Sequence, residues 1–346
     1  MSEDTQLQRK APGRDAAPIK HHPMSLQYIR LRLSAALIRG ALGLGMFLAQ
    51  YILQGVPSDV TVTHTTFPSR DKNRKLRVHI YQPKSLTKSS SPPPIHVNFH
   101  GSGFMIPSLG SDRQFCGDLA SRLGCVVLDC DYRKAPEWPW PAAVQDAEDA
   151  ILYALSQSGR WDTRRCTVGG FSAGGNLALC ASTLHGKDLC GVLAFYPPTN
   201  LSVDRELKAP PPEKHSGAIP LGVAKMFDQS YILSVGVDRT HPLVSPVKAD
   251  PGSFPPLVWL TCARGDTLYR DGKALIEKLK GTPEGQGPSD LYFHDVSGEG
   301  HAFDKAARKG TARDAKREES YKLALEAVQR AWKLGPGGRG ADAARL

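Results

Sequence analysis

The sequence predicts an α/β fold with a mostly parallel central sheet flanked by helices. From Ile95 onward, apolar β-prone segments alternate with helix-forming segments, which is typical of parallel strands joined by helices. Residues 125–130, which are apolar except for Asp129, predict a fully buried strand, as expected when helices cover both faces of the sheet. A third observation is the stretch of residues 170–174, Gly-Phe-Ser-Ala-Gly, between a β-prone segment at 166–168 and a helix-forming one at 176–182.

The N-terminal region precedes this alternation. Residues 1–23 are polar, and we expect them to be a disordered tail. A helical pattern then runs from Met24 to Gln54, and its last part, residues 40–53, is apolar nearly all round. Because about 14 apolar residues fall short of the roughly 20 that a membrane span needs, we expect residues 24–55 to form helices of a cap. Membrane contact of this segment is the less favoured alternative, suggested by the arginines within it.

The remaining chain predicts a main domain over residues 56–334. Segments 60–64 and 76–81 alternate in polarity and predict an antiparallel pair at a sheet edge. Residues 198–241, rich in Pro, Lys and Gly, break the alternation and predict an insertion that adds to the cap. The Gly/Ala/Arg-rich end, residues 335–346, is expected to fray. We expect further strands at 95–100, 190–195, 257–262 and 291–296, and helices at 112–123, 142–156, 269–279 and 318–332.

Charge does not favour a nucleic-acid partner. The formal net charge is +10, but the basic residues concentrate in the N-terminal tail and in residues 305–322, where acidic residues interleave with them. No basic stripe carries aromatic residues at a spacing suited to base stacking. We therefore expect residues 305–322 to form a solvated surface.

The cysteines indicate a reducing compartment. The chain has seven, an odd number, without a C-x-x-C pair, and most lie in apolar segments. Buried free thiols and a cytoplasmic location explain this pattern best, and the first twenty residues lack the apolar core of a secretory signal. No motif in the chain predicts a metal site or a cofactor.

Ser172 is the candidate nucleophile, and it needs a base and an orienting carboxylate. Asp266 follows the strand that ends at Cys262, and His301 follows the strand that ends at Val296. Alone, Asp266 could cap the next helix and His301 could be an ordinary loop histidine. Together, in the order Ser, Asp, His and at strand ends, the three residues predict a hydrolytic site. We expect Asp271 to lie in the following helix and to face solvent.

Glycines surround this serine on two sides. Gly170 and Gly174 flank it, since the tight turn brings the neighbouring backbone too close for side chains. Residues 101–103, Gly-Ser-Gly, follow the strand at 95–100, where small residues let backbone N–H groups turn into a cleft. With the N–H of Ala173, these groups would bind a developing oxyanion. An ordinary glycine turn is the alternative for residues 101–103.

Four segments of the chain resemble one family. Residues 100–103, His-Gly-Ser-Gly, resemble an HGGG motif with serine at the middle glycine. Residues 131–143 resemble D-Y-R-L-A-P-E-H-P-F-P-A-A, and residues 170–174 resemble G-D-S-A-G, with Phe171 where an acid is usual. Residues 241–246 resemble the segment that leads from the cap into the next strand. From about residue 95 to 332, the chain is similar to the hormone-sensitive-lipase-like carboxylesterases, α/β-hydrolases of the "alpha/beta hydrolase fold-3" type.

The resemblance implies an α/β-hydrolase fold with a helical cap and a serine esterase without a cofactor. It also implies the site residues: a triad of Ser172, Asp266 and His301, an oxyanion hole from Gly101, Ser102, Gly103 and Ala173, and supporting motif positions at His100, Gly170 and Gly174.

Three functions stay open at this point. The first is hydrolysis of small to medium apolar carboxylic esters, because bulky cap residues would limit the pocket; these are Met46, Phe47, Tyr51, Met226 and Phe227. The second is amide or formamide hydrolysis by the same residues. The third is a non-catalytic ligand-binding protein, which the presence of His301 disfavours, since such descendants tend to replace that histidine.

Overall fold

A computed structural model of the chain describes residues 25–53, 55–88, 91–215, 217, 219–234 and 236–338. Within this range the side chains of residues 42–53 and 87–88 are not described. The expected disordered tail and residues 339–346 of the expected frayed end lie outside the described residues. So do the side chains of Met46, Phe47 and Tyr51.

In the described residues, eight strands form one sheet in the order β1-β2-β4-β3-β5-β6-β7-β8. The strands are β1 Val60–Pro68, β2 Lys75–Pro83, β3 Pro94–Phe99, β4 Val126–Cys130, β5 Asp162–Phe171, β6 Gly191–Phe195, β7 Leu257–Ala263 and β8 Asp290–Val296. β1 pairs antiparallel with β2, and β2 pairs antiparallel with β4. Every pairing from β4 to β8 is parallel. The predicted fold class and the antiparallel pair at the sheet edge are confirmed.

The described helices are α1 Leu26–Leu53, α2 Arg113–Leu123, α3 Ala142–Ser156, α4 Ala173–Ser182, α5 Leu221–Tyr231, α6 Tyr269–Lys280 and α7 Ala312–Leu334. α3, α4 and α6 contribute to an apolar core on one face of the sheet, and α2 and α7 contribute to the core on the other face. This explains why β3, β4, β6 and β7 are buried along their whole length. Burial of each Val or Leu side chain in such a strand stabilises the folded protein by about 1.5–3 kcal/mol relative to leaving the side chain exposed.

α1 and α5 lie outside these two layers. The segment predicted to hold cap helices is one continuous helix, α1, which packs through Tyr28, Leu31 and Ala35. Ala35 clusters with Met105 and Ile106, and side chains of α5 pack on the same cluster. α5 belongs to the inserted segment between β6 and β7. None of the helices in the described part of the chain combines the length and apolar character needed to cross a bilayer.

The charged segment 305–322 differs from the prediction. Lys305 forms ion pairs with the buried carboxylates of Asp112 and Asp304, and Arg317 is buried and pairs with Asp314. The prediction of a solvated surface is therefore wrong for these two residues. Lys305 is drawn inside by Asp112, which is distant in sequence, and Arg317 pairs with Asp314, one helical turn away. The seven cysteines are all buried and free, as predicted.

Candidate active site

Ser172 lies in a tight turn between β5 and α4. Its backbone has φ 51° and ψ −118°, a region that residues with a side chain rarely adopt. Two backbone hydrogen bonds hold it there: the Ser172 N–H donates to the Phe195 carbonyl at 2.8 Å, and the Ser172 carbonyl accepts from the Asn176 N–H at 3.0 Å. The turn thereby places the serine at the N-terminus of α4, at the carboxyl edge of the parallel sheet.

The two flanking glycines are required by the close approach of the chain. A Cβ atom on Gly174 would lie 2.0 Å from the carbonyl oxygen of Phe99, and one on Gly170 would lie 2.6 Å from the same oxygen. Backbone atoms of β3 cannot move aside without disrupting the sheet. The structure thus supplies the steric reason that the sequence suggested for glycine at these positions.

The structure brings Ser172, His301 and Asp266 together. Nδ1 of His301 lies 2.7 Å from Oδ2 of Asp266, and Nε2 of His301 lies 3.0 Å from Oγ of Ser172. With the Nδ1 proton on the aspartate side, Nε2 is free to accept the serine proton. Asp266 is fully buried, and its Oδ1 accepts a hydrogen bond from the Leu268 N–H at 2.9 Å. The carboxylate is therefore fixed at both oxygens.

The loops that carry Asp266 and His301 are tied to each other. The Gly265 N–H donates to the Glu299 carbonyl at 2.9 Å, and the Arg264 N–H donates to the Val296 carbonyl at 2.8 Å. These bonds continue the parallel pairing of β7 and β8 into the loops. The distance between the two side chains is therefore set by the sheet itself.

Asp271 lies in α6, as predicted, but it is buried instead of facing solvent. Its carboxylate pairs with Lys208, and its backbone carbonyl accepts from the Thr199 hydroxyl at 2.6 Å. Both partners belong to the inserted segment, which covers the first turn of α6. The prediction of exposure is wrong because this cover comes from residues more than sixty positions away.

Tyr196 supports the histidine and was not identified from the sequence. Its ring packs edge-on against the His301 ring, with centroids 4.8 Å apart. Its hydroxyl donates to Asp304 Oδ1 at 2.6 Å, and the Tyr321 hydroxyl donates to the other oxygen at 2.8 Å. Tyr196 directly follows β6, so its position at a strand's carboxyl end was the signal that could have identified it.

Asp304 anchors this arrangement as an anion. Burial alone would raise the pKa of Asp304, but the Lys305 ammonium and the hydrogen bond from Tyr196 outweigh burial and lower the pKa. In turn, burial would lower the pKa of Lys305, but the carboxylates of Asp112 and Asp304 raise it. The loop three residues after His301 is thus held by a charged, buried network.

The segment 101–103 lies beside Ser172. A Cβ atom on Gly101 would lie 3.6 Å from the Cβ of Ser172. The Ser102 hydroxyl lies 2.6 Å from the Tyr132 hydroxyl, which donates to the His100 carbonyl at 2.7 Å. Within the described chain, the backbone N–H groups of Ser102 and Gly103 donate to no other protein group. They are available to a ligand oxygen.

A cavity of about 260 Å³ opens at Ser172 and His301. Its walls are mostly apolar and include Ile106, Phe171, Tyr196, Ile219, Phe227 and Ala302. Phe227, expected as a pocket wall, lines this cavity. Phe227 and Met226 both pack against the cluster of Ala35, Met105 and Ile106, but Met226 is not among the described residues that line the cavity. Across the described ranges, no group of three or more His, Cys, Asp or Glu side chains is arranged to hold a metal ion.

Known proteins are similar to this chain in sequence. The arylesterase of Saccharolobus solfataricus is 26% identical over 258 residues, which cover 73% of this chain and 81% of that protein. "Probable carboxylesterase 8" of Arabidopsis thaliana is 30% identical over 236 residues, which cover 59% of this chain and 69% of that protein. Distant relatives of the chain are therefore esterases.

A solved structure and a family model agree on the fold. The esterase of Pyrobaculum calidifontis superposes with a TM-score of 0.71 at 24% identity, covering 86% of this chain and 92% of that one. The family model described as "alpha/beta hydrolase fold" (Abhydrolase_3) matches residues 96–305, which run from within β3 to beyond His301. Since that match spans more than half of the 346 residues, the chain belongs to this family of α/β hydrolases.

Proposed function

We propose that this protein is a serine carboxylic-ester hydrolase that acts on small to medium apolar esters through an acyl-enzyme. One observation carries the proposal: a hydrogen-bonded path from the buried carboxylate of Asp266, through His301, to the Ser172 hydroxyl at an apolar cavity. The esterase names of similar proteins support the reaction class.

Acylation begins with proton transfer from Ser172 to His301. As Oγ attacks the ester carbonyl carbon, Nε2 takes the hydroxyl proton, which it can reach at 3.0 Å. Asp266 holds the ring in the required tautomer and stabilises the imidazolium that forms. The product of this step is a tetrahedral intermediate whose former carbonyl oxygen carries the negative charge.

Backbone N–H groups stabilise that oxygen in our proposal. Ser102 and Gly103 supply two donors from the segment after β3, and Ala173 supplies a third from the first turn of α4. The positive end of the α4 dipole lies at the same place. Because these groups are already oriented before the reaction, they stabilise the charge as it develops without reorganisation.

The intermediate then collapses and the alcohol leaves. His301 gives its proton to the departing alkoxide oxygen, the C–O bond breaks, and the acyl group remains as an ester of Ser172. A water molecule repeats the sequence: His301 takes one of its protons, the hydroxide attacks the acyl carbon, and the proton returns to Ser172 Oγ as the carboxylic acid leaves.

The cavity limits the size of the acyl group. We propose that α1 and α5 act as the cap over it, since side chains of both helices contact the Met105–Ile106 cluster beside the serine. Each methylene that fits into the apolar cavity contributes about 0.8 kcal/mol, but a rigid aromatic wall excludes groups that do not fit. We therefore expect kcat/KM to be highest for acyl chains of about two to six carbons, without a jump in rate when substrate forms micelles.

The test compares Ser172→Ala with Ser111→Ala. Both serines line the same cavity, so the second variant is a matched control. On p-nitrophenyl acetate and butyrate, Ser172→Ala should lose several orders of magnitude in kcat, and Ser111→Ala should stay near wild type. Circular dichroism and the melting temperature check that both variants fold. Near wild-type activity of Ser172→Ala would contradict the assignment.

Two further measurements address the alternative functions. Matched esters and anilides of the same acyl groups, together with formamides, separate ester from amide hydrolysis; a clear preference for the amides would overturn the ester proposal. A phosphonate ester probe followed by mass spectrometry reports the nucleophile directly. If the wild-type protein neither hydrolyses any of these substrates nor forms an adduct on Ser172, the esterase proposal fails.

A further inference from the structure

We propose that Arg39 of α1 is a positioning residue that holds the backbone segment 101–106 in place for catalysis. The inference rests on the proposed function, because this segment carries the Ser102 and Gly103 N–H groups assigned to the oxyanion. According to this inference, α1 covers the cavity and also positions the oxyanion-binding segment through Arg39.

The guanidinium of Arg39 joins three separate parts of the chain. Its Nε donates to the Met105 carbonyl at 3.1 Å, and its Nη2 donates to the Ala135 carbonyl at 2.9 Å. Its two terminal nitrogens also bind the two carboxylate oxygens of Glu137, both at 2.8 Å. A planar fork of five donors suits such a set of acceptors, and a lysine ammonium does not.

Met105 lies at the end of the turn that follows the strand β3. The Ser102 carbonyl accepts from the Met105 N–H at 3.1 Å and from the Ile106 N–H at 2.8 Å. Between Ser102 and Met105, Gly103 has φ 55° and Phe104 has φ 60°. A left-handed conformation is unfavourable for phenylalanine, so contacts from outside the turn must hold it.

Ala135 is connected to the same turn from the other side. Its N–H donates to the Phe104 carbonyl at 2.9 Å. Arg39 therefore binds the carbonyls of two residues, Met105 and Ala135, that flank the strained Phe104. Moving the guanidinium away would remove its hydrogen bonds to the Met105 and Ala135 carbonyls at the same time.

The contact is partly shielded from solvent and carries charge. The Arg39 and Glu137 side chains are 23% and 25% exposed. Burial alone would raise the pKa of Glu137, but the hydrogen bond and positive charge of Arg39, a backbone hydrogen bond and the charge of Arg32 together outweigh burial and lower the pKa. Glu137 therefore stays ionised at neutral pH and orients the guanidinium toward the two carbonyls.

Arg32 provides a matched control on the same helix. It approaches the same carboxylate, Glu137, at 3.6 Å, but its side chain is 54% exposed. Among the described residues, it makes no hydrogen bond to Met105 or Ala135. Replacing it removes an arginine and a contact with Glu137 while leaving the turn untouched.

The kinetic experiment compares Arg39→Gln with Arg32→Gln on p-nitrophenyl butyrate. Removal of one oxyanion donor typically costs about 100- to 1000-fold in kcat, so a displaced donor should cost about tenfold or more. The donors act on the charge of the transition state, so kcat should fall while KM changes little. Affinity for a trifluoromethyl ketone, which binds as a tetrahedral oxyanion, should fall by the same factor. Arg32→Gln should match the wild type in all three measurements.

Hydrogen exchange tests the same inference without a substrate. The Met105 and Ile106 amides donate to the Ser102 carbonyl, so their exchange should accelerate in Arg39→Gln and not in Arg32→Gln. If the wild-type protein hydrolyses no ester, the proposed function fails, and the exchange measurement still decides whether Arg39 holds the segment. Arg39→Lys serves as a milder variant should Arg39→Gln fail to fold, and it should show the same changes to a smaller degree.

Three results would overturn the inference. Equal kcat for Arg39→Gln and Arg32→Gln would show that the carbonyl contacts do not matter for the reaction. A change confined to KM would assign Arg39 to the cavity wall. Unchanged exchange at Met105 and Ile106 in either Arg39 variant would show that the turn holds its shape without the guanidinium.

Discussion

The ammonium nitrogen of Lys305 lies 3.4 Å from the centroid of the Phe171 ring, which directly precedes Ser172 in the chain. The Phe195 ring stacks with Phe171, with centroids 4.2 Å apart. Phe171 occupies the position where sequences of the similar carboxylesterase type usually carry an acid. An aromatic face attracts a cation, so phenylalanine is compatible with a lysine that is already paired with Asp112 and Asp304.

This arrangement predicts an order of stability for two variants. Lys305→Met would leave Asp112 and Asp304 without their shared cation in the interior, a loss of about 3–5 kcal/mol in the free energy of unfolding. Phe171→Leu removes the cation–π contact, worth about 0.5–2 kcal/mol, together with some ring packing. Urea unfolding of both variants measures the difference. A greater loss for Phe171→Leu than for Lys305→Met would contradict this account of the network.

Asp266 should contribute to catalysis, and Asp271 to the stability of the folded protein. Asp266→Asn would present an amide to His301 and favour the wrong tautomer, which should lower kcat by roughly 10⁴, as the same change does in a serine-protease triad. Asp271→Asn should instead lower the free energy of unfolding, because it weakens the pairing with Lys208, and should leave kcat near wild type. Steady-state kinetics and urea unfolding of the pair check both effects. A larger loss of kcat in Asp271→Asn than in Asp266→Asn would contradict the assignment of the orienting role to Asp266.

Phe227 should limit the acyl chain. Its ring lies against Gly103, so that a Cβ atom there would come within 2.5 Å of it, and the ring lines the cavity. Phe227→Ala should move the maximum of kcat/KM toward longer p-nitrophenyl esters, since each added methylene can gain about 0.8 kcal/mol of burial.

Met226→Ala is the matched control, because Met226 neighbours Phe227 on α5 and packs on the same cluster of Ala35, Met105 and Ile106, but is not among the described residues that line the cavity. Its chain-length profile should stay that of the wild type. If both variants shift the profile equally, the effect comes from loosening α5 and not from the cavity wall. A wild-type maximum at twelve carbons or more would contradict the proposed small cavity.

Asp129 should make stability depend on pH. Burial and the nearby Asp112 carboxylate raise the pKa of Asp129 to about 8. The unfolded chain releases this proton near pH 4, while the folded protein keeps it to about pH 8. The folded state thus binds more protons in this window, so the contribution of Asp129 to stability falls as the pH rises from about 4 to about 8.

Asp129→Asn tests this dependence with a neutral side chain of similar shape. Compared with the wild type, its free energy of unfolding should decline less between pH 5 and 8 when measured by urea titration at several pH values. If the free energy of unfolding changed equally with pH in the two proteins, Asp129 would not be protonated in the folded state at neutral pH.

The sequence by itself determined the features that depend on short stretches of chain. Alternation of β-prone and helix-forming segments predicted the mostly parallel sheet, because strand and helix periods are local properties. The positions of Ser172, Asp266 and His301 just after strands predicted that they would lie near one another, because parallel strands end at the same edge. The need for glycine at 170 and 174 was also predicted from the tight turn of adjacent residues, although the atom that their side chains would meet, the Phe99 carbonyl oxygen, belongs to β3.

Only the tertiary structure decided which charged side chains are buried and paired outside the Ser172 site. The exposure of Asp271 was wrongly predicted because the inserted segment brings Lys208 onto α6, and Lys305 was wrongly placed in a solvated surface because Asp112 lies far away in sequence. The contacts of Arg39 with Met105 and Ala135 join residues 66 and 96 positions apart. Such pairs leave no local pattern, because burial and pairing of a charge depend on which segments the whole fold packs together.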